Sequence, residues 1–312
     1  LPYAAIVLVV ILWGSAASVS RSIGPVLTPL DLSLWRLSIG LALLVIPLAV
    51  AKLRNRRVKS APARGTRTLR QLVPVWASGV TGFGLMIWLF FAAARLTLSS
   101  HLVLILSLTP ICTLLLDRLF SRRRSGGSQG LGAAVVCLLG VAVMIGPGLS
   151  GSGASLAGDG LALLAMLSLS VYTLGARQRP PGMTTLEVNV HGMAAGLLFL
   201  WLMLLVTEGS VWPAGFTEPR QWFAVAYLGA ASTGLAYLLY AWTLSRLPMD
   251  RVVPFIFLQP IVGVLLSAIW LDEAFTVNVA LGTAGIVGGL VWNWKKTQAS
   301  PPVSTVAKQE SA

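Results

Sequence analysis

Apolar side chains run along this chain in ten stretches of about 20 residues separated by short polar steps: 3–23, 30–51, 72–94, 98–117, 129–147, 158–177, 185–207, 221–245, 250–271 and 275–294. A helix rises about 1.5 Å per residue, so each stretch can cross a hydrocarbon core about 30 Å thick. The pattern predicts an all-α integral membrane protein with ten transmembrane helices.

The stretches repeat. Arg246 to Glu273 holds an Arg-Leu pair, a polar step, a long apolar run, Pro254 and the Gln259-Pro260 pair; Arg95 to Phe120 has the same plan and ends its run with Thr109-Pro110. The arginines lie 151 residues apart and the prolines 150. A shift of 156 lays Thr28–Gly40 on Thr184–Gly196, with Asp31 on Glu187, and also pairs Arg21 with Arg177; a shift of 150 pairs Gly132 with Gly282. Five spans per half is an odd number, so the second half enters from the opposite face, and the chain reads as two inverted five-helix repeats, 1–148 and 149–296. The polar residues 297–312 read as a disordered tail. A proline inside a helix frees the carbonyl four residues back, here Leu106 for Pro110 and Ile256 for Pro260. Pro110, Pro254 and Pro260 are therefore candidate kinks; matched kinks in two halves point to a site between them, whereas a single kink serves packing equally well.

Charge sets the orientation. Nineteen of the 23 basic residues fall on one side, eight of them between Lys52 and Arg70; Arg21, Arg36, Arg95 and Arg220 are the rest. Basic loops stay inside, so both termini are expected in the cytoplasm and the chain in the cell (inner) membrane. The same rule accounts for the net charge of +13, and no nucleic-acid partner is expected. With 56% hydrophobic residues and a mean hydropathy of +0.81 a water-soluble domain is excluded. Cys112 and Cys137 lie inside apolar stretches and read as small core residues; no metal and no cofactor is expected. Leu1 to Val19 has no basic leader and continues as a full span, so no cleavable signal is expected, and the missing initiator Met suggests trimming.

Trp13-Gly14-Ser15, Trp35-Arg36, Ser107-Leu108-Thr109-Pro110, and Arg246-Leu247-Pro248 followed by Pro260 occur in this order within the repeat. In them the chain resembles the ten-helix EamA-type members of the drug/metabolite transporter superfamily along nearly its whole length, and within that group is most similar to the YddG-type amino-acid exporters. It departs from the family where a Gly-Glu pair often follows the fourth helix of each half: Arg122-Arg123 and Asp272-Glu273 stand there. Gln259-Pro260 replaces a frequent Glu-Pro. The resemblance implies a central cavity lined by helices 1, 3, 4, 6, 8 and 9.

Polar faces on those helices supply the candidates for substrate binding. Thr233, Tyr237 and Tyr240 share one helical face, as do Ser78, Thr81 and Trp88; Trp13, Ser15 and Ser18 stand on the first helix, and Ser168 and Tyr172 on the sixth. Each hydroxyl has a competing partner in its own helix's carbonyl, and each aromatic in lipid. Gln259 either meets the solute or ties down a freed carbonyl. His101, counted with the candidates, and His191 read more naturally as structural, and Arg36 as paired with Asp31 or snorkelling.

No phosphate-cradling loop is present, so transport is expected to be secondary or facilitated. A phosphorylated solute needs at least two buried cations, and a cationic drug needs a mid-span acid; Arg36 is the one candidate cation, and Asp31, Glu187 and Asp117 lie near span ends. Neutral or zwitterionic metabolites remain, amino acids first, exported by alternating access between the repeats, with a proton-coupled drug/metabolite carrier as the alternative. An intramembrane enzyme is disfavoured: His101 and Asp117 are sixteen residues apart, about 24 Å along a helix. The expected partners are a small-molecule substrate and the bilayer. The glycines at 282, 285 and 289 suit tight helix packing or a subunit contact in a monomer or weak homo-oligomer.

Overall fold

The computed structural model describes residues 1–24, 27–57, 68–120, 131–145, 155–176, 178–208 and 218–299. Among them the regular structure is entirely helical. The helices are α1 (Pro2–Ser22), α2 (Pro29–Arg57), α3 (Leu69–Leu96), α4 (Ser99–Leu119), α5 (Leu131–Ile145), α6 (Leu156–Ala176), α7 (Thr185–Glu208), α8 (Pro219–Leu244), α9 in two pieces (Met249–Ile256 and Gln259–Trp270) and α10 (Val277–Ala299). Eight of them, α1 to α4 and α6 to α9, are long and apolar enough to cross a membrane, while α5 is shorter. The expected tail lies beyond the described residues except that α10 runs on to Ala299, and Lys59, Arg64, Arg67, Arg122 to Arg124, Arg177 and Lys308 also fall outside them.

The start of α2 shows how local sequence sets these elements. Thr28 donates its backbone N–H (3.3 Å) and hydroxyl (2.8 Å) to the Asp31 carboxylate, and accepts the Asp31 N–H at 3.1 Å. Thr184 and Glu187 repeat this reciprocal cap at the start of α7, with the Thr184 N–H 2.9 Å from Glu187 Oε2. Each box satisfies donors that a helix start leaves orphaned. Asp31 therefore serves as a cap, which is why it and Glu187 align.

Eight helices close into a ring in the order α1, α8, α2, α7, α3, α6, α4, α9 and back to α1. Neighbours alternate strictly between the stretch before residue 148 and the stretch after it. The two remaining helices, α5 and α10, pack on each other outside the ring, against α4 and α9. There glycine lets backbones touch: a Cβ on Gly140 would stand 2.9 Å from the Gly282 carbonyl oxygen, and one on Gly289 2.5 Å from Cys137 Sγ. The glycines at 282 and 289 thus serve contacts within the chain.

Three helices break and two bulge. α4 breaks at Leu108 and α9 at Phe257–Leu258, each just before its proline; α1 breaks at Ser15 with no proline. Pro254 lies inside the first piece of α9 and does not break it. The middles of α3 (Val80–Leu85) and α8 (Tyr227–Leu235) widen into π-helix, each around a Thr-Gly pair, Thr81-Gly82 and Thr233-Gly234. Such bulges recur at functional sites because they re-aim side chains.

Candidate functional site

The π segments and the broken α1 bring five aromatic rings into one chain. Tyr240 lies 5.2 Å from Trp13, Trp13 5.3 Å from Tyr237, Tyr237 5.3 Å from Phe83, and Phe83 5.0 Å from Tyr172, centroid to centroid. Trp13 and Phe83 come from α1 and α3; Tyr172, Tyr237 and Tyr240 come from α6 and α8. All contacts are tilted or edge-on, the arrangement that aromatic quadrupoles favour. Tyr172, Tyr237 and Tyr240 sit well inside the bundle yet are only partly buried, so they border internal space, and the partly buried Trp13 stands against two of them. Tyr172 packs on Gly82, where a Cβ would stand 2.2 Å from its ring, and donates to Asn189 Oδ1 at 3.2 Å.

Four of the nine candidate residues therefore meet. Ser15 is buried behind them, donating to the Leu12 carbonyl (3.1 Å) and sharing a 2.6 Å bond with the Tyr227 hydroxyl. Thr81 donates to Ser78 in its own helix at 2.8 Å. Trp88 is half-buried against the main core. Gln259 opens the second piece of α9, and its backbone oxygen would lie 3.1 Å from a Cβ on Gly14. In α4 the Thr109 hydroxyl takes up the Leu106 carbonyl at 2.6 Å, whereas the Gln259 side chain has no hydrogen bond to any described residue. Of its two readings, the carbonyl tie is thus not the one seen. Phe83 escaped the sequence because a buried phenylalanine in an apolar run carries no mark of its position.

Arg36 is buried and reaches α8, donating from Nε to Thr233 Oγ1 at 3.0 Å, while Thr233 donates to the Leu228 carbonyl at 2.8 Å. Its guanidinium carbon lies 5.3 Å from the Phe90 ring centroid and 5.8 Å from that of Phe91.

A polar cluster stands at the end of the ring opposite the N-terminus. His101, buried at the start of α4, lies 3.2 Å from Asp159 of α6, which also accepts from the Thr97 hydroxyl at 2.5 Å. Glu273 accepts from the N–H groups of Ser99 (2.7 Å) and Ser100 (3.0 Å), capping α4, and lies 3.6 Å from Arg21. Arg21 also donates to the Thr97 carbonyl. His101 is thus apart from the rings and joins residues before 148 to residues after it. His191 accepts from Trp76 Nε1 at 3.4 Å across α3 and α7.

The profile of the EamA-like transporter family matches residues 1–146 and again 156–294. An aromatic amino acid exporter, YddG, of Ancylobacter novellus is 27% identical over 230 residues, covering 72% of this chain and 77% of its own. A probable terminal-alkyne amino-acid exporter of Streptantibioticus cattleyicolor is 25% identical, covering 91% of each chain. The uncharacterized transporter YdfC of Bacillus subtilis is 24% identical over 91% of this chain and 88% of its own. A solved crystal structure shares the fold at a TM-score of 0.61 and 22% identity, covering 94% of this chain and 96% of that one. With helices built to cross a membrane and a family profile that spans both stretches, the chain belongs to the EamA-like transporter family and is a membrane transporter, not an enzyme.

Proposed function

We propose that this transporter exports small neutral or zwitterionic metabolites, amino acids and aromatic ones among them, by alternating access across the cell inner membrane. The observation that carries this reading is the chain of five rings supplied from both stretches of the sequence. Aromatic walls with a few hydroxyl tips suit a small amphipathic solute. Two relatives named as amino-acid exporters support the substrate class. The two separate family matches, the twin capping boxes and the twin π segments support a ten-helix inverted repeat, and the basic loops support cytoplasmic termini.

Interleaving changes how the movement is pictured. Rocking one half rigidly against the other needs a single dividing face, and in a ring of alternating neighbours every neighbour contact lies between the halves. The breaks at Ser15, Leu108 and Phe257–Leu258 are the joints instead, because there the helix ladder is already interrupted. Trp13 and Gln259 stand at two of these joints, so bending them moves the site itself.

Uptake by proteoliposomes tests the substrate class: saturable movement of phenylalanine or another neutral amino acid is expected, and failure with all of them beside good movement of a phosphorylated sugar overturns it. A facilitator is the primary reading. Proton coupling is the second, favoured by a histidine and a carboxylate that meet at 3.2 Å, buried, where the two stretches join. A stoichiometric pH change during transport decides for the second.

A further inference from the structure

Arg36 stands seven residues inside α2, about 10 Å from its start, in a helix read as crossing the membrane. A cation at such depth is costly and is ordinarily matched by an acid or by carbonyls. Here a guanidinium with five N–H donors uses one, the Nε–H to Thr233; among the described residues its two terminal nitrogens have no hydrogen-bond acceptor and no carboxylate partner. It is 8% exposed, so bulk water does not take that role freely. Thr233 is itself fixed by the Leu228 carbonyl, and the rings of Phe90 and Phe91 flank the cation. The fork is held in place with its open end unused.

Packing does not ask for this arginine. The residue that the 156-residue shift lays on Arg36 is Gly192, and there α7 meets α3 so closely that a Cβ on Gly79 would stand 2.4 Å from the Gly192 Cα. On the other side, Tyr237 stands one turn beyond Thr233 on α8, within electrostatic range of the guanidinium and in contact with Trp13 and Phe83.

We propose that the terminal nitrogens of Arg36 bind the carboxylate of the transported solute in a two-point contact, with the solute's organic part on the rings of Tyr237 and Trp13, which Phe83 backs from the core. The assignment rests on the transport reading above, but its chemistry is narrower: a single carboxylate, not a phosphate. A paired, charge-assisted contact of this kind adds direction as well as strength.

The test compares acids with their neutralised forms by thermal shift of the purified protein and by counterflow in proteoliposomes. Phenylalanine and 3-phenylpropanoate are set against phenylalaninamide and 3-phenylpropanamide. The wild type is expected to bind the acids at least about tenfold more tightly than the amides, and Arg36→Gln to lose that preference, with Arg36→Lys keeping part of it. Arg36→Met, which fills similar volume without charge, is expected to fold with an undiminished Tm, whereas a purely structural arginine would leave it lowered. Equal affinity of the wild type for acids and amides, or no shift with either, overturns the assignment even if every variant misfolds. Preference for 3-phenylpropanoate with no transport of any amino acid would uphold Arg36 and overturn the amino-acid reading.

Discussion

Two helix crossings in this transporter share a plan and differ at one point. α2 crosses α8, and α7 crosses α3; both incoming helices start with a capping box, and both meet a π segment. Both use a matched glycine for close approach: a Cβ on Gly40 would stand 2.6 Å from Thr233 Cγ2, and one on Gly196 2.7 Å from the Gly84 nitrogen. One turn earlier the plans part, with Arg36 in the first crossing and Gly192 in the second. The same backbone path is thus held once by glycine against glycine and once beside a buried cation. Close packing explains the first; the second carries chemistry that packing does not require.

Breaking the glycine crossing should have the largest effect. In Gly79→Ala the new methyl meets the Gly192 backbone, which cannot step aside as a side chain can, and a loss of about 3 kcal/mol is expected. Thermal unfolding in detergent checks it against Gly288→Ala, where nothing stands within 4 Å of the added Cβ and a gain of about 0.5 kcal/mol is expected. An equal response at both positions would remove the packing half of the comparison.

The polar cluster sharpens it from outside. Glu273→Gln leaves a neutral cap on α4 and loosens Arg21, and should cost about 1 kcal/mol, read as a lower Tm that added salt shifts less than in the wild type. A change of opposite sign is expected at Asp272, whose φ of 52° lies in the left-handed region and turns Glu273 back onto the start of α4. Asp272→Gly relieves that conformation, for a gain of up to about 1 kcal/mol in thermal unfolding, with transport unchanged.

Much of this fold was legible in the sequence. Length and hydropathy gave the helices, and echoes at shifts of 150 to 156 anticipated the matched breaks and aligned Asp31 with Glu187, though not their part as caps. The prolines announced the breaks in α4 and α9, because a missing N–H and a displaced carbonyl are local facts. Ser15 interrupts α1 with no such mark. The π segments left no trace in the sequence beyond the two Thr-Gly pairs. Periodicity placed Tyr237 and Tyr240 on one face but could not say that Trp13 meets both. His101 and Asp159 are 58 residues apart, and a pairing across that distance belongs to tertiary structure alone. Hydroxyls were the least legible: Ser15 and Thr81 look alike in sequence and both donate to their own helix, yet only Ser15 also meets another helix, at Tyr227.

Counterflow of labelled phenylalanine through proteoliposomes, with wild type beside Tyr237→Ala, tests the central claim that the solute sits on rings from both stretches. Tyr237 joins Trp13 to Phe83, so its removal cuts the chain in the middle. A rise in KM of at least about tenfold is expected, the scale of losing 1.4 kcal/mol or more of ring contact, in protein whose Tm shows it folded. An unchanged KM in folded Tyr237→Ala protein would contradict the claim.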